Sequence, residues 1–140
     1  MATNTSPVFP PSRRDPRQVS NTLKRTINFN DADIAAASFA NSLPAGAFIL
    51  RVLVEIVTPF NAGTTNPLTV GTVGAAFNNI VADGDVNEAA AGVYEATRGL
   101  GRALAAAGEV AVTAKYAPTG AAATTGQAVI VIEYEGGNLS

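Results

Sequence analysis

The side chains of this sequence that could do chemistry are mostly carboxylates. Asp83, Asp85 and Glu88 fall within the six-residue run DGDVNE, together with Asn87. Alternating carboxylate and amide oxygens can ligate calcium, and a glycine between them allows a sharp turn. The run lacks the twelve-residue EF-hand pattern, and the same residue types are common in turns between strands. We therefore expect a turn here and no metal site.

Carboxylates two residues apart could also support acid–base chemistry, because positions i and i+2 of a strand share one face. Three such pairs occur in the chain: Asp31 and Asp33, Asp83 and Asp85, Glu133 and Glu135. Glycosidase carboxylates flank a sugar in a cleft, usually one lined by aromatic rings. Aromatic residues are only 6% of this chain. We expect these pairs to lie on solvated faces.

Other catalytic groups are missing from the composition. The 140 residues include no His and no Cys, which excludes a Ser-His-Asp triad, a cysteine nucleophile and imidazole or thiolate metal sites. The glycine runs at 71–74 and 99–101 do not match nucleotide-binding patterns. Lys24 and Lys115 have no recognisable catalytic context. The sequence thus indicates a protein that is not an enzyme and that needs no cofactor.

Charge is distributed unevenly along the chain. Residues 1–25 carry five cationic side chains against one carboxylate, a net charge of +4, whereas residues 26–140 carry −6. Four prolines before residue 20 disfavour helix, and few apolar residues are available for a core. We predict an extended arm over residues 1–22 and a folded domain over 23–140. The candidate partner-binding residues of the arm are Val8, Phe9, Arg13, Arg14, Arg17, Val19 and Leu23.

The elements beyond the arm are predicted mainly from apolar alternation. Residues 23–29 alternate, and 47–58 place Phe48, Leu50, Val52, Val54 and Ile56 on one face of a long strand. Residues 68–73, 109–116 and 127–134 predict further strands, the last two pairing as an antiparallel hairpin. Residues 31–39 predict a short helix, 78–82 a short strand, and 86–107 short strands and loops.

Short strands separated by turns rich in Gly, Thr and Asn are typical of antiparallel all-β domains. The expected fold is an antiparallel β-sandwich, jelly-roll-like, with an extended N-terminal arm. The segments TINFNDA (26–32), LPAGAFI (43–49), VTPFN (57–61), LTVGT (68–72) and TTGQAVIVIEY (124–134) resemble small structural proteins of tailed bacteriophages. Among such proteins are capsid decoration, or cement, proteins, which the chain resembles in size and β-rich character.

That resemblance implies a virion protein on the capsid surface, made in the host cytoplasm. It would bind the outer shell, staple neighbouring subunits of the major capsid protein through the arm, and form a homo-oligomer, by expectation a trimer. No membrane contact and no specific nucleic-acid binding are expected. Two alternatives stay open: a head–tail connector, tail or head-fibre base component, and a glycan- or receptor-binding β-sandwich that would use Tyr94, Tyr116 and Tyr134.

Overall fold

A computed structural model of the chain describes residues 20–72, 77–96 and 108–136, without the side chains of residues 20, 38–41 and 136. The described residues form two antiparallel sheets, with strand order β1-β7-β3-β5 in one and β2-β6-β4 in the other. The strand bounds are β1 Ser20–Asn28, β2 Ser38–Leu43, β3 Ala47–Thr58, β4 Leu68–Gly71, β5 Gly92–Ala96, β6 Val110–Tyr116 and β7 Gln127–Gly136.

One hydrophobic core lies between the two sheets. Val52 and Ile130 enter it from the four-stranded sheet, and Val112 and Tyr116 enter it from the three-stranded sheet; all four are at most 2% exposed. Alternate residues of a strand point to opposite faces, so each sheet gives one row of side chains to this core. The antiparallel all-β fold is confirmed, and the described ranges contain no helix. The jelly-roll detail stays a prediction.

The long strand β3 departs from strict alternation at two β-bulges. The register shifts between Ile49 and Arg51 and again between Ile56 and Thr58, so that Leu50 and Val57 are extra residues relative to β7. A bulge changes which side chains face inward beyond it. The single apolar face predicted for β3 is therefore wrong at its start, where Phe48 and Leu50 are exposed and Ile49 is buried.

The helix predicted over residues 31–39 is also wrong. The segment forms turns in which Asp33 and Ala37 have positive φ angles of 60° and 109°, outside the right-handed helical region. Ile34 is 5% exposed, and its carbonyl accepts a hydrogen bond from the Tyr116 N–H at 2.9 Å. Ile34 thus packs in the core and is hydrogen-bonded to β6, and these contacts take the place of the backbone hydrogen bonds of a helix.

The predicted hairpin of the last two strands does not form. β6 pairs with β2 and β4, whereas β7 pairs with β1 and β3 in the other sheet. The connection between them is bound to the loop after β3: Gly63 N–H donates to the Ala121 carbonyl at 2.8 Å, and Thr64 N–H donates to the Thr119 carbonyl at 3.0 Å. These hydrogen bonds lie where the chain crosses from the three-stranded sheet to the four-stranded sheet.

The strand predicted over 78–82 is reduced to a single β-bridge between Val70 and Val81. Gly71 permits this approach, because a Cβ there would overlap the side chain of Asn79 and the backbone at Phe77. Within the predicted stretch 86–107, β5 is a short strand, as expected, and residues 97–107 lie outside the described residues.

β1 begins at Ser20, three residues before the boundary predicted for the folded domain. Residues 20–22 pair with Glu135, Tyr134 and Glu133 of β7, so they belong to the sheet. No helix among the described residues has the length and apolar character needed to cross a membrane.

Candidate functional site

The acidic run 83–88 folds as a turn whose polar side chains bind nearby backbone. Asp85 Oδ2 accepts a hydrogen bond from the Ala82 N–H at 2.9 Å, and Asn87 Oδ1 accepts one from the Ala89 N–H at 3.1 Å. Gly84 has φ +100°, which a residue with a side chain rarely adopts. Among the described residues, no three acidic side chains are grouped so that they could hold a metal ion.

Glu88, the last residue of that run, points into the body. Its side chain is 8% exposed, and Oε1 accepts a hydrogen bond from the Leu68 N–H at 2.9 Å. Desolvation raises the pKa of Glu88, and the nearby charge of Asp83 acts in the same direction, while hydrogen bonds from the backbone of Glu88 and Leu68 oppose the rise. Sequence reasoning missed this role, because a glutamate in an acidic turn ordinarily faces water.

Tyr116 joins the same buried region to the loop after β3. Its hydroxyl donates to Asn66 Oδ1 at 2.7 Å, and its ring centroid lies 4.5 Å from that of Phe60. Burial raises the pKa of Tyr116, and the charge of Glu88 adds to the rise. These contacts fix loops to the core and leave Tyr116 only 1% exposed.

The other predicted carboxylate pairs occupy different surroundings. Asp31 Oδ2 accepts the Asn28 N–H at 2.8 Å and closes the turn after β1, while Asp33 lies exposed in that turn. Glu133 and Glu135 share one face of β7, as predicted. Asp83 borders a shallow cleft of about 210 Å³ lined also by Pro67, Thr69, Asn78, Lys115 and Ala117. None of these six carboxylate side chains is buried in the described structure.

The arm residues predicted to bind a partner are mostly not described. Val8, Phe9, Arg13, Arg14, Arg17 and Val19 lie outside the described residues. Leu23 lies in β1 with 6% of its surface exposed, as part of the core. Because that side chain is already covered by the body, we remove Leu23 from the candidate partner-binding set.

A candidate surface is the outer face of the four-stranded sheet, meaning the side that points away from the core. On β3 it presents Phe48, Leu50 and Val57, which are 38%, 42% and 44% exposed, and on β5 it presents Val93, which is 62% exposed. Leu53, Val129 and Val131 are half-buried between them. The bulge at Leu50 explains why Phe48 and Leu50, which alternation assigns to the core, reach solvent here.

Charged side chains of both signs flank this apolar stripe. Among the described residues, the carboxylates are Glu55, Glu95, Glu133 and Glu135 and the cations are Lys24 and Arg51, which gives a net charge of −2. Arg51 Nε lies 3.4 Å from Glu95 Oε2, with both side chains about half exposed. Solvent screens such an ion pair, which therefore contributes at most about 1 kcal/mol. The outer face combines apolar contact area with surplus negative charge.

Comparison with solved structures relates this architecture to viral shells. A chain in the capsid asymmetric unit of cyanophage Pam1 superposes with a TM-score of 0.69 at 23% identity, covering 96% of this chain and 97% of that one. The fold occurs in bacteriophage capsids. A chain in the capsid of Ralstonia phage GP4 shares this capsid fold with a TM-score of 0.62 at 23% identity, covering 97% and 93% of the two chains.

A chain in the acidic stable capsid structure of Helicobacter pylori bacteriophage KHP30 has the same capsid fold. Its TM-score is 0.60 at 20% identity, with 87% of this chain and 91% of that one covered. No protein-family model matches the sequence, and no curated protein matches it. The likeness is therefore one of fold, carried by nearly the whole chain.

Proposed function

We propose that this chain is a non-enzymatic structural protein of a bacteriophage virion. The observation that carries the proposal is the capsid fold, shared over nearly the full length of chains in three phage capsid structures. The chemistry of the chain agrees with it, since His and Cys are absent from the sequence. The best-buried carboxylate, Glu88, bonds to the backbone of β4 and stabilises loop packing.

Within the virion, we infer a decoration role on the outside of the shell. The body is small, and the basic N-terminal segment offers a tether to neighbouring subunits of the major capsid protein. Repetition of a weak contact at every copy around a closed shell gives high avidity. We further infer a homotrimer, because proteins of the class that the sequence resembles are often trimeric.

We also infer that the two sheets are those of a jelly roll. A jelly roll has eight strands in two sheets. The described strands supply four and three, and the bridge between Val70 and Val81 lies at the edge of β4 where a fourth strand of the smaller sheet would pair. In this interpretation Ile80 and Val81 stand in the place of the eighth strand.

The glycan-binding alternative lacks support in the described residues. It would require aromatic rings exposed over a groove, whereas Tyr116 is buried and Tyr94 and Tyr134 are half-buried against the core. The Tyr94 hydroxyl donates to the Ala90 carbonyl at 2.9 Å, which ties that ring to its own loop.

The test is co-sedimentation with phage heads assembled without this protein. The full chain is compared with a truncation lacking residues 1–19, which keeps β1 whole because the strand begins at Ser20. Circular dichroism confirms that the truncated body is folded. Saturable, salt-sensitive binding of the full chain, lost on truncation, supports decoration through the arm. Failure of both forms to bind heads contradicts the decoration role and favours a tail, connector or fibre-base position.

A further inference from the structure

The outer face of the four-stranded sheet has the composition of a surface that binds another chain. Phe48, Leu50, Val57 and Val93 are all more than a third exposed along it. Contiguous apolar surface of this kind, bordered by polar groups, marks interaction sites in soluble proteins. The bulge of β3 at Leu50 adds to it, because it places both Phe48 and Leu50 on the outward side of the strand.

Charge indicates which kind of segment fits this face. In the part of the chain that the structure describes, the outer face carries four glutamates against two cations, and one of those cations, Arg51, is already engaged with Glu95. Residues 13–19 of the same protein, RRDPRQV, carry three arginines against one aspartate and end in valine. Arginine binds carboxylates with two parallel hydrogen bonds, so it is better suited than lysine to bind the glutamates of this face.

The position of Ser20 supports docking of this segment on an outer face. Ser20 pairs with Glu135 at the end of β1, and Thr22 pairs with Glu133, so the arm joins the sheet beside its acidic end. Fully extended, seven residues span about 23 Å. The four strands are spaced about 4.8 Å apart, so the same segment is long enough to cross the whole outer face.

We propose that residues 13–19 of one copy dock on the outer face of a second copy. Arg13, Arg14 and Arg17 lie against Glu133 and Glu135, and Val19 adds to the apolar stripe. The recipient is a second copy because residue 19 directly precedes Ser20, where β1 begins at the end of its sheet, so residues 13–19 have no linker in which to reverse direction and lie back on their own outer face. Residues 1–19 can extend about 60 Å, several times the radius of gyration of about 14 Å for a domain of this size.

Exchange of arms in one direction gives a closed ring in which every copy donates one arm and receives another. Val8 and Phe9 then stay available beyond the docked segment for contact with a shell. The proposal deepens the homo-oligomer inferred above and in that respect rests on it; because its test uses the isolated protein without phage heads, its failure is distinguishable from failure of the decoration role.

The experiment measures mass in solution, without phage heads, by size-exclusion chromatography with light scattering. We expect the full chain to form a closed oligomer that dissociates when residues 1–19 are removed. Two charge reversals, the arm variant R13E/R14E and the face variant E133R/E135R, should each shift the mass to that of a monomer at moderate salt. Combining all four changes in one chain should restore the oligomer, because the charges are again complementary.

The matched control is Glu109→Arg, which reverses an exposed charge beside β6 in the other sheet. It should leave the mass unchanged, and circular dichroism verifies the fold of every variant. A full chain that is monomeric overturns the proposal, since an arm bound to its own sheet would leave the mass at one copy. An oligomer that survives truncation or charge reversal, or a four-fold variant that stays monomeric, also overturns it.

Discussion

Two replacements of Glu88 distinguish the effect of its hydrogen bond on stability from the effect of its charge. The side chain is 8% exposed, and Oε1 accepts the Leu68 N–H at 2.9 Å where β4 begins. Glu88→Ala removes that acceptor from a buried donor, so the free energy of unfolding should fall by about 1–3 kcal/mol. Glu88→Gln keeps an oxygen acceptor and removes the charge, so it should stay within about 1 kcal/mol of the wild type at neutral pH.

The pH dependence of stability follows from the direction of the pKa shift. Desolvation raises the pKa of Glu88 above its ordinary value of 4.5. Between these two pKa values the folded state binds more protons than the unfolded chain, so the free energy of unfolding falls as pH rises through the raised pKa. The stabilisation that this pKa difference gives the folded state is fully present below pH 4.5. Stability of the wild type relative to Glu88→Gln should therefore increase as the solution is acidified from neutral pH.

The assay is urea denaturation followed by far-ultraviolet circular dichroism, at about pH 7 and about pH 5, with equal protein concentrations. Glu109→Gln is the control, because Glu109 is exposed and should change stability by less than about 0.5 kcal/mol. Unfolding of Glu88→Ala at the wild-type urea concentration would contradict the stabilising role of this hydrogen bond. A loss of wild-type stability relative to Glu88→Gln on acidification would contradict the direction of the pKa shift.

Gly126→Ala and Tyr116→Phe test the contacts around Phe60, and Gly84→Ala tests backbone strain alone. Gly126→Ala should destabilise the protein by about 1–3 kcal/mol, because a Cβ there would overlap the Phe60 ring and Gly126 has φ +149°. In Gly84→Ala nothing lies within 4 Å of the new Cβ, so only the backbone strain of φ +100° destabilises the protein. A smaller fall in the thermal unfolding temperature is therefore expected. Tyr116→Phe keeps the ring contact and removes the 2.7 Å hydrogen bond to Asn66, which should lower the free energy of unfolding by about 0.5–1.5 kcal/mol. Equal stability of Tyr116→Phe and the wild type would contradict that bond's role.

Much of the strand content could be predicted because period-two alternation reports burial directly. Leu23 and Ile27 on β1, and Val112 and Ala114 on β6, are buried as alternation requires. The bulge at Leu50 could not be predicted, since an extra residue is visible only once the partner strand is known. Alternation carried across that bulge wrongly assigns Phe48 to the core.

Strand partners were harder to predict than strands, because pairing depends on contacts between distant residues. The order β1-β7-β3-β5 joins the first and last strands of the chain, and no local pattern around either strand indicates that pairing. The hairpin prediction for β6 and β7 failed for the same reason: the hydrogen bonds of residues 119 and 121 to the loop at 63–64 connect segments far apart in sequence.

The candidate site was only partly accessible from the sequence. The acidic run was rightly expected to be a turn, but the inward direction of Glu88 depends on β4 packing beside it. The apolar stripe on the outer face escaped detection because Val93 and Val57 have the residue types of a core strand. They are 62% and 44% exposed because their side chains point to the side of the four-stranded sheet that faces away from the core, and that depends on which face of the sheet is packed.

The most direct test of the proposed function is the copy number of this chain in purified virions, measured by quantitative mass spectrometry against the major capsid protein. A decoration protein occupies equivalent positions over a whole closed shell, so we expect a number of copies comparable to that of the major capsid protein. A number that fits only one small ring per particle would contradict the decoration role and assign the chain to a connector or fibre base.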